Sequence, residues 1–407
     1  MSFIKIEKKI KKFNKSLITS GDKSLSIRWA LLASQSPYKS KSYNLLDSED
    51  VINTLRCLRK LGVKIKLTKK FCEIFGVGLN GFKYKKNLSL NAGNSGTLGR
   101  LIMGLLVHCK SNIKLRGDKS LSRRDFLRVS KPLERFGAKF KTNSGKLPIY
   151  IKGTDDPLPI SYNETRGSAQ CKSAVMLAAL NTRGETVIKA KKSRDHSELL
   201  FKYLKLPIKI SKKKNYDLIR IRGKKKIPSI NYRIPADISS SAFFIVLTAL
   251  SKNSKLKIRN ININPSRTGI LSILKIMKVK IKVLNKRTYK GEHIADLLIH
   301  GTKKFKSINC PIKFNSAAID EFLLIFLIAA KADGISYFKN LSELNEKESP
   351  RLKWGSKILN KMGIKTISTN KGRIDYIRKN ETIRLFIFSL LIKHCISCTK
   401  KSAYFYR

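Results

Sequence analysis

Seven short segments combine cations, hydroxyls and carboxylates in a way that could do chemistry. GDKSLSIRWALLAS, from Gly21, sets Lys23, Ser24 and Arg28 at the start of an apolar helix-length run. Ser24 and Arg28 are four apart and so share a helix face. Asn94, Ser95, Gly96 and Thr97 form a tight turn whose backbone N–H groups can face an anion, with Arg100 one helical turn later and Arg124 further on in SLSRRD. Ser168, Ala169 and Gln170 open another apolar run, and Ser193, Arg194, Asp195 and His196 precede an amphipathic one. Ser and Gln suit hydroxyl and phosphate oxygens, and Arg194 can make a bidentate charged contact. Asp320 and Glu321 head an otherwise apolar stretch, where a carboxylate is costly unless paired or used. Lys347, Glu348 and Arg351 put two cations and an acid at a further helix start, with Pro350 tolerable only in a first turn. The chemistry these residue types suit is the binding of phosphate and carboxylate groups and the transfer of protons by carboxylates or Lys. Any one segment alone also reads as a helix cap or a solvated basic turn.

The elements that must position these groups recur. A small or polar turn followed at once by an apolar run appears at Gly21, Gly93, Gly167, Ala236 and Ala318, and more weakly at Asn380. The period is about 70 residues, longer than the usual solenoid unit. Between these runs lie amphipathic helices closed by Gly or its substitute and a short β-type run: Leu55 to Ile65, Leu127 to Phe140, Leu199 to Ile210, Ile270 to Ile281 and Ile358 to Ile367. The reading is six α/β units, three to a lobe. The uniformly apolar helices lie buried and the amphipathic ones face solvent with their Lys side. Helix N-termini carry unpaired N–H groups and about half a positive charge, so a set of them in register makes an anion-binding cleft.

Bulk composition narrows the classes. A chain of 407 residues with 42% hydrophobic residues predicts two domains with ordinary cores. Lysine and arginine number 86 against 27 acidic residues, a formal net charge of +59, which would bind any polyanion non-specifically at low salt. The lysines run the whole length beside many Ile and Asn, the pattern of drift in an AT-rich genome, with no single basic stripe. The cysteines are seven and scattered, and the opening MSFIKIEKKIKKF lacks the apolar region of a signal peptide, which predicts a reducing, cytoplasmic setting. No apolar run reaches the roughly 18 residues of a membrane span. His394, Cys395 and Cys398 have no second ligand pair at a zinc spacing, and neither a P-loop nor a dinucleotide fingerprint is present, so no metal or cofactor is expected.

In order along about residues 1 to 370, GDKSLSIRWALLA, NSGTLGRL, GDKSLSRRDFLRVSKPLERFGAKF, GSAQCKSAVMLAAL, SRDHSE, PADISSSAFF, NPSRTGILSILKIMKV, IDEFLLIFLIAA and ELNEKESPRL resemble the signature segments of the EPSP synthases. The resemblance implies an α/β, two-lobed enolpyruvyl-transferase fold, each lobe holding three βαβαββ-type units around buried parallel helices. One lobe would span 14–233, on the shikimate-phosphate side, and the other 1–13 plus 234–407. It implies transfer of the enolpyruvyl group of phosphoenolpyruvate to the 5-hydroxyl of shikimate-3-phosphate by a cytoplasmic monomer without metal or organic cofactor. Lys23, Asp320 and Glu348 are then the acid and base candidates. Lys23, Ser24, Arg28, Ser168, Ala169, Gln170, Arg194, Asp320 and Lys347 meet shikimate-3-phosphate. Lys23, Asn94, Gly96, Arg124, Gln170, Arg351, Arg384 and Lys401 meet phosphoenolpyruvate.

The match departs from the family at Asp125 and Pro350, which replace Pro and Asp, and at the carboxyl end. There Asn380, Glu381, Thr382, Ile383 and Arg384 stand where the family has Asp-His-Arg. The His is absent, Arg384 is displaced by one position, and the chain stops where a final amphipathic helix is expected, which predicts reduced or lost activity as one outcome. The rival readings are an enolpyruvyl transferase acting on UDP-N-acetylglucosamine and a non-enzymatic basic protein that holds nucleic acid.

Overall fold

The computed structural model describes residues 11–346, 349–369 and 373–374. The chain forms two compact units: Gly21–Ile234 with Lys290–Glu292, here the first unit, and Met1–Ser20 with Pro235–Tyr289 and His293–Arg407, the second.

One topology is built four times. After β1 (Asn14–Leu17), the first repeat runs α1 (Lys23–Ser34), β2 (Lys39–Tyr43), α2 (Glu49–Lys60), β3 (Lys64–Leu67) and β4 (Phe71–Phe75). The second is β5 (Leu88–Asn91), α3 (Gly96–Leu106), β6 (Ile113–Arg116), α4 (Leu127–Glu134), β7 (Lys139–Asn143) and β8 (Lys146–Lys152). The third is β9 (Ser161–Glu164), α5 (Ala169–Leu180), β10 (Glu185–Lys191), α6 (His196–Tyr203), β11 (Ile208–Lys212) and β12 (Tyr216–Arg222). After β13 (Tyr232–Arg233) comes the fourth: α7 (Ile238–Leu250), β14 (Lys255–Asn262), α8 (Gly269–Ile276), β15 (Ile281–Tyr289) and β16 (Glu292–His300). The strand orders are β13-β2-β4-β3, β5-β6-β8-β7, β9-β10-β12-β11 and β1-β14-β16-β15. In each sheet the leading pair is parallel and the second pair antiparallel.

Strand pairing sets the boundary between the units. β1 pairs with β14 of the second unit, Asn14 opposite Lys255, and β13 leads the first sheet, Tyr232 opposite Ser42. The division near the amino end therefore falls at Ser20–Gly21 and not at residue 14, because the short strand preceding the first buried helix hydrogen-bonds into the fourth repeat.

The two helix classes separate as their patterning predicts. α1, α3 and α5 are buried nearly throughout, and α3 packs against α5 closely enough that a Cβ on Gly104 would lie 2.1 Å from the Ala174 carbonyl oxygen. α2, α4, α6, α8 and α11 (Arg351–Lys361, after α9 at Asn315–Ala318 and α10 at Phe322–Ala329) each bury one face. Left-handed residues end the amphipathic helices: Gly62, Gly137 and Gly363 where Gly is available, Lys205 and Lys278 where it is not. In the second unit, α10 packs on α7, and Phe322, Phe326 and Phe338 meet edge-on or tilted with centroids 5.0 to 6.0 Å apart.

The sheet topology also accounts for part of the charge. β3, β7, β11 and β15 each occupy a sheet edge, and each carries cations there, such as Lys64 and Lys66, Lys139 and Lys141, Lys209 and Lys212, or Lys282 and Lys286. Lysine on an edge strand blocks pairing with another chain.

One partly buried group makes stability depend on pH. His108 follows α3, its Nε2–H donates to the Ala178 carbonyl at 3.2 Å, and burial pushes its pKa from 6.5 down to about 4. As pH falls through 6.5 the unfolded chain takes up this proton while the folded one does not until about 4. Unfolding free energy should therefore fall across that window by up to about 3 kcal/mol, and none of this loss occurs above pH 7. Urea unfolding of the parent and of His108→Gln at pH 7, 5.5 and 4.5 checks this: the variant should show a shallower decline.

Candidate active site

In the first unit two arginines, Arg100 and Arg124, meet at the N-terminus of α3. Ser95 caps the helix, its Oγ accepting from the Leu98 N–H at 3.2 Å. The loop after β6 is tied to the same turn, since the Asp118 N–H donates to the Gly93 carbonyl and Asp118 Oδ1 accepts from the Leu121 N–H. Arg124 therefore arrives beside the turn, its Nη2 donating to Asn94 Oδ1 at 3.1 Å. Arg100 Nη1 donates to Gln170 Oε1 at 2.6 Å, and Gln170 Nε2 donates in turn to Thr97 Oγ1 at 3.1 Å. The Arg100 guanidinium also lies 5.0 Å from the Phe126 ring centroid.

Arg128 and Arg124 both act electrostatically on Arg100, and burial pushes the Arg100 pKa down to about 9, which leaves it cationic at neutral pH. The Nε atoms of Arg100 and Arg128 are buried and have no hydrogen-bond partner among the described residues. Two guanidiniums at a helix N-terminus, Arg100 and Arg124, with Arg128 and the acid Asp125 acting on the first, fit an anion. Gly96 makes room for them: a Cβ there would stand 2.9 Å from Arg100 Nη1 and 3.2 Å from Arg124 Nη1.

A second cationic group lies along α1 and α5 of the same unit. Asp22 caps α1, Oδ1 accepting from the Leu25 N–H. Lys23 Nζ is 3.2 Å from Asp50 Oδ2. Arg28 is buried: its Nε donates to Ser197 Oγ at 2.8 Å, Nη2 to Ser173 Oγ at 3.2 Å and Nη1 back to the Ser24 carbonyl at 3.1 Å. Burial lowers its pKa to about 10, so it too stays charged. The loop ahead of α5 is shaped by the buried Glu164, whose carboxylate accepts from the Arg166 and Gly167 N–H groups. This presents Ser168, the α5 cap, then Ala169 and Gln170. Arg194, two residues ahead of α6, acts electrostatically on Arg28.

The second unit carries its own set. The turn and the apolar run expected from Ala318 are both present, with a short helix ahead of them. α9 ends at Ala318, the Glu321 N–H donates to the Ala318 carbonyl, and α10 begins at Phe322 with Glu321 at its cap position. Asp320 thus sits on the turn between two helices, with Arg351 Nη1 3.3 Å from its Oδ1. Glu321 is buried and accepts from Ser239 Oγ, and Arg267 Nη2 donates to Ser239 Oγ at 2.7 Å and pairs with Asp237 Oδ1 at 3.4 Å. Pro350 stands at the cap position of α11, just ahead of Arg351.

The structure thus brings Asn94, Gly96, Arg124 and Gln170 around one helix start, Lys23, Ser24 and Arg28 onto α1, and Asp320 to Arg351. Lys347, Glu348, Arg384 and Lys401 lie outside the described residues, as do His394, Cys395 and Cys398. Sequence reasoning passed over Arg128, Lys172, Glu198, Arg267 and Glu292. Arg128 could have been found, since it lies four residues beyond Arg124 in one run. No group of three or more His, Cys, Asp or Glu able to hold a metal occurs among the described residues.

Repeated α/β units of this topology form the enolpyruvyl-transferase fold. The fold matches the solved enolpyruvyl transferase NikO from Streptomyces tendae with a TM-score of 0.68 at 14% identity, over 89% of this chain and 82% of that one. The chain belongs to the EPSP synthase (3-phosphoshikimate 1-carboxyvinyltransferase) family, whose model matches residues 7–384. The solved EPSP synthase of Acinetobacter baumannii superposes with a TM-score of 0.80 at 34% identity, covering 91% of this chain and 83% of that one. The 3-phosphoshikimate 1-carboxyvinyltransferase of Ruthia magnifica is 39% identical over 346 residues, 85% of this chain and 78% of the relative, and that of Petrotoga mobilis 38% over 364 residues, 88% and 83%.

Proposed function

We propose that this protein transfers the enolpyruvyl group of phosphoenolpyruvate to the 5-hydroxyl of shikimate-3-phosphate, giving EPSP and phosphate. The observation that carries the reading is the meeting of Arg100 and Arg124 over Gly96 at the N-terminus of α3, with Gln170 bonded to the first of them. An anion of the size and charge of phosphoenolpyruvate suits such a place. Lys23, Ser24, Arg28, Ser168, Ala169, Gln170 and Arg194 serve the phosphate, carboxylate and hydroxyls of shikimate-3-phosphate. Lys23, Asn94, Gly96, Arg124, Gln170 and Arg351 serve phosphoenolpyruvate.

The reaction is an addition followed by an elimination. A proton is delivered to the methylene carbon of phosphoenolpyruvate as the 5-hydroxyl oxygen, losing its own proton, attacks C2. The tetrahedral adduct then loses a proton from the new methyl group as the C–O bond to phosphate breaks, restoring the double bond. Asp320 is the carboxylate suited to take the hydroxyl proton, and Lys23 and Glu348 are the further acid and base candidates. Guanidiniums near the leaving phosphate stabilise the charge that collects there. Acids, bases and fixed charge are all that this chemistry calls for, so neither metal nor organic cofactor is included in the proposal. A monomer in the cytoplasm fits the reading. Five free, buried cysteines among the described residues suit a reducing compartment. No helix among the described residues is long and apolar enough to cross a membrane. The cations on the edge strands account for part of the charge without a nucleic-acid partner.

The test is to mix purified protein with both substrates and follow phosphate release and the mass of the product. Phosphate should appear with shikimate-3-phosphate as acceptor, not with phosphoenolpyruvate alone and not with UDP-N-acetylglucosamine. Phosphate release with the UDP-sugar alone as acceptor would replace this reading with the sister activity.

A further inference from the structure

The first turn of α6 is built in a way that the reaction does not by itself explain. His196, Ser197 and Glu198 follow one another, all three are buried, and each has a different buried partner. His196 Nδ1 is 2.7 Å from Glu292 Oε1, in the segment Lys290–Glu292 that belongs to the first unit. Ser197 Oγ accepts from Arg28 Nε and lies 2.7 Å from Ser173 Oγ, which accepts from Arg28 Nη2. Glu198 Oε1 is 2.5 Å from Lys172 Nζ, on α5, and Lys172 has no exposed surface.

Stability is a poor account of such an arrangement. Burying carboxylates and a lysine is costly, and an apolar turn of the same shape often does as well or better. Placement is the better account. Arg28 and Arg194 repel each other, and the carboxylates that act in favour of the Arg28 charge are, in order, Glu198, Asp22 and Glu292. The same turn directly follows Ser193, Arg194 and Asp195, so its three anchors settle where that loop lies. Cations held close together before an anionic ligand arrives are a preorganised site, and holding them requires fixed counter-charge behind them.

We infer that Lys172, Glu198 and Glu292 are positioning residues which, through the first turn of α6, hold Arg28 and Arg194 in register for the anionic groups of the acceptor substrate. The inference rests on the proposed role of Arg28 and Arg194 in binding shikimate-3-phosphate. Glu292 acts from the first residue of β16, far along the chain, and Lys172 from inside a buried helix, and neither is expected to touch substrate.

The experiment compares Glu292→Gln, Glu198→Gln and Arg28→Ala with the parent, measuring both KM values, kcat, and shikimate-3-phosphate binding by calorimetry. Glu292→Gln and Glu198→Gln should each raise KM and Kd for shikimate-3-phosphate by about tenfold, with KM for phosphoenolpyruvate within about twofold. If Glu198→Gln leaves Lys172 unpaired and fails to fold, the double variant Lys172→Met, Glu198→Gln removes both charges and carries the same expectation. A fall in melting temperature with shikimate-3-phosphate binding unchanged, or an equal rise in both KM values, overturns the inference and leaves these groups structural. If Arg28→Ala itself leaves shikimate-3-phosphate binding intact, the underlying reading fails and the inference with it. If Arg28→Ala weakens binding and the carboxamide variants do not, the inference alone fails.

Discussion

Gly96→Ala should raise KM for phosphoenolpyruvate by about a hundredfold while leaving KM for shikimate-3-phosphate within a few-fold. The added methyl group would press on Arg100 Nη1 and Arg124 Nη1, at 2.9 and 3.2 Å, both the far ends of flexible side chains. The fold should tolerate it, because alanine is the better helix former and Gly96 is the first residue of α3. What cannot stay unchanged is the placement of the two guanidiniums. Arg100 is held by Gln170 and the Phe126 ring, and Arg124 by Asn94, so any yielding shifts the cations that face the ligand. Steady-state kinetics with each substrate varied in turn, beside a thermal melt, provide the check. An unchanged KM for phosphoenolpyruvate would mean that the ligand is not bound at this helix start.

The contrast between what the chain announces and what it conceals follows from distance along the sequence. Buried helices such as α3 and α5 are legible because burial on every side leaves an almost unbroken apolar run, and their caps because Ser95 and Ser168 act on N–H groups three residues away. The edge strands β3, β7, β11 and β15 are legible as short β-type runs, though not as edges, since edge status depends on pairing order. Lys172 looks like a blemish in an apolar helix until Glu198 meets it. Glu292 looks like an ordinary turn residue, for its partner His196 is 96 positions away. The unit boundary was hidden for the same reason: a four-residue strand such as β1 has no pattern that says which sheet it will join. The turn that carries Asp320 was legible as the polar start of an apolar run, whereas α9 ahead of it, four residues long, has no apolar pattern of its own.

That turn gives the last prediction its force. Asp320→Asn should lower kcat by about a thousandfold, with KM for shikimate-3-phosphate changed by less than about tenfold. Asparagine keeps the size of the side chain and an oxygen that can accept from Arg351 Nη1, now 3.3 Å from Asp320 Oδ1, so the local fold has little reason to move. The carboxamide cannot take a proton from the acceptor hydroxyl, and without that transfer attack on C2 would leave a positively charged oxygen. A carboxylate kept only for packing or for pairing with Arg351 predicts something different. In that case Arg351→Met would mimic Asp320→Asn and both would act through stability, whereas a proton acceptor predicts lost turnover in a protein that still melts and still binds shikimate-3-phosphate like the parent. Single-turnover measurements with both substrates pre-bound separate the two, because they report the chemical step apart from binding. A single-turnover rate for Asp320→Asn within about tenfold of the parent would assign the proton to another group, Lys23 or Glu348.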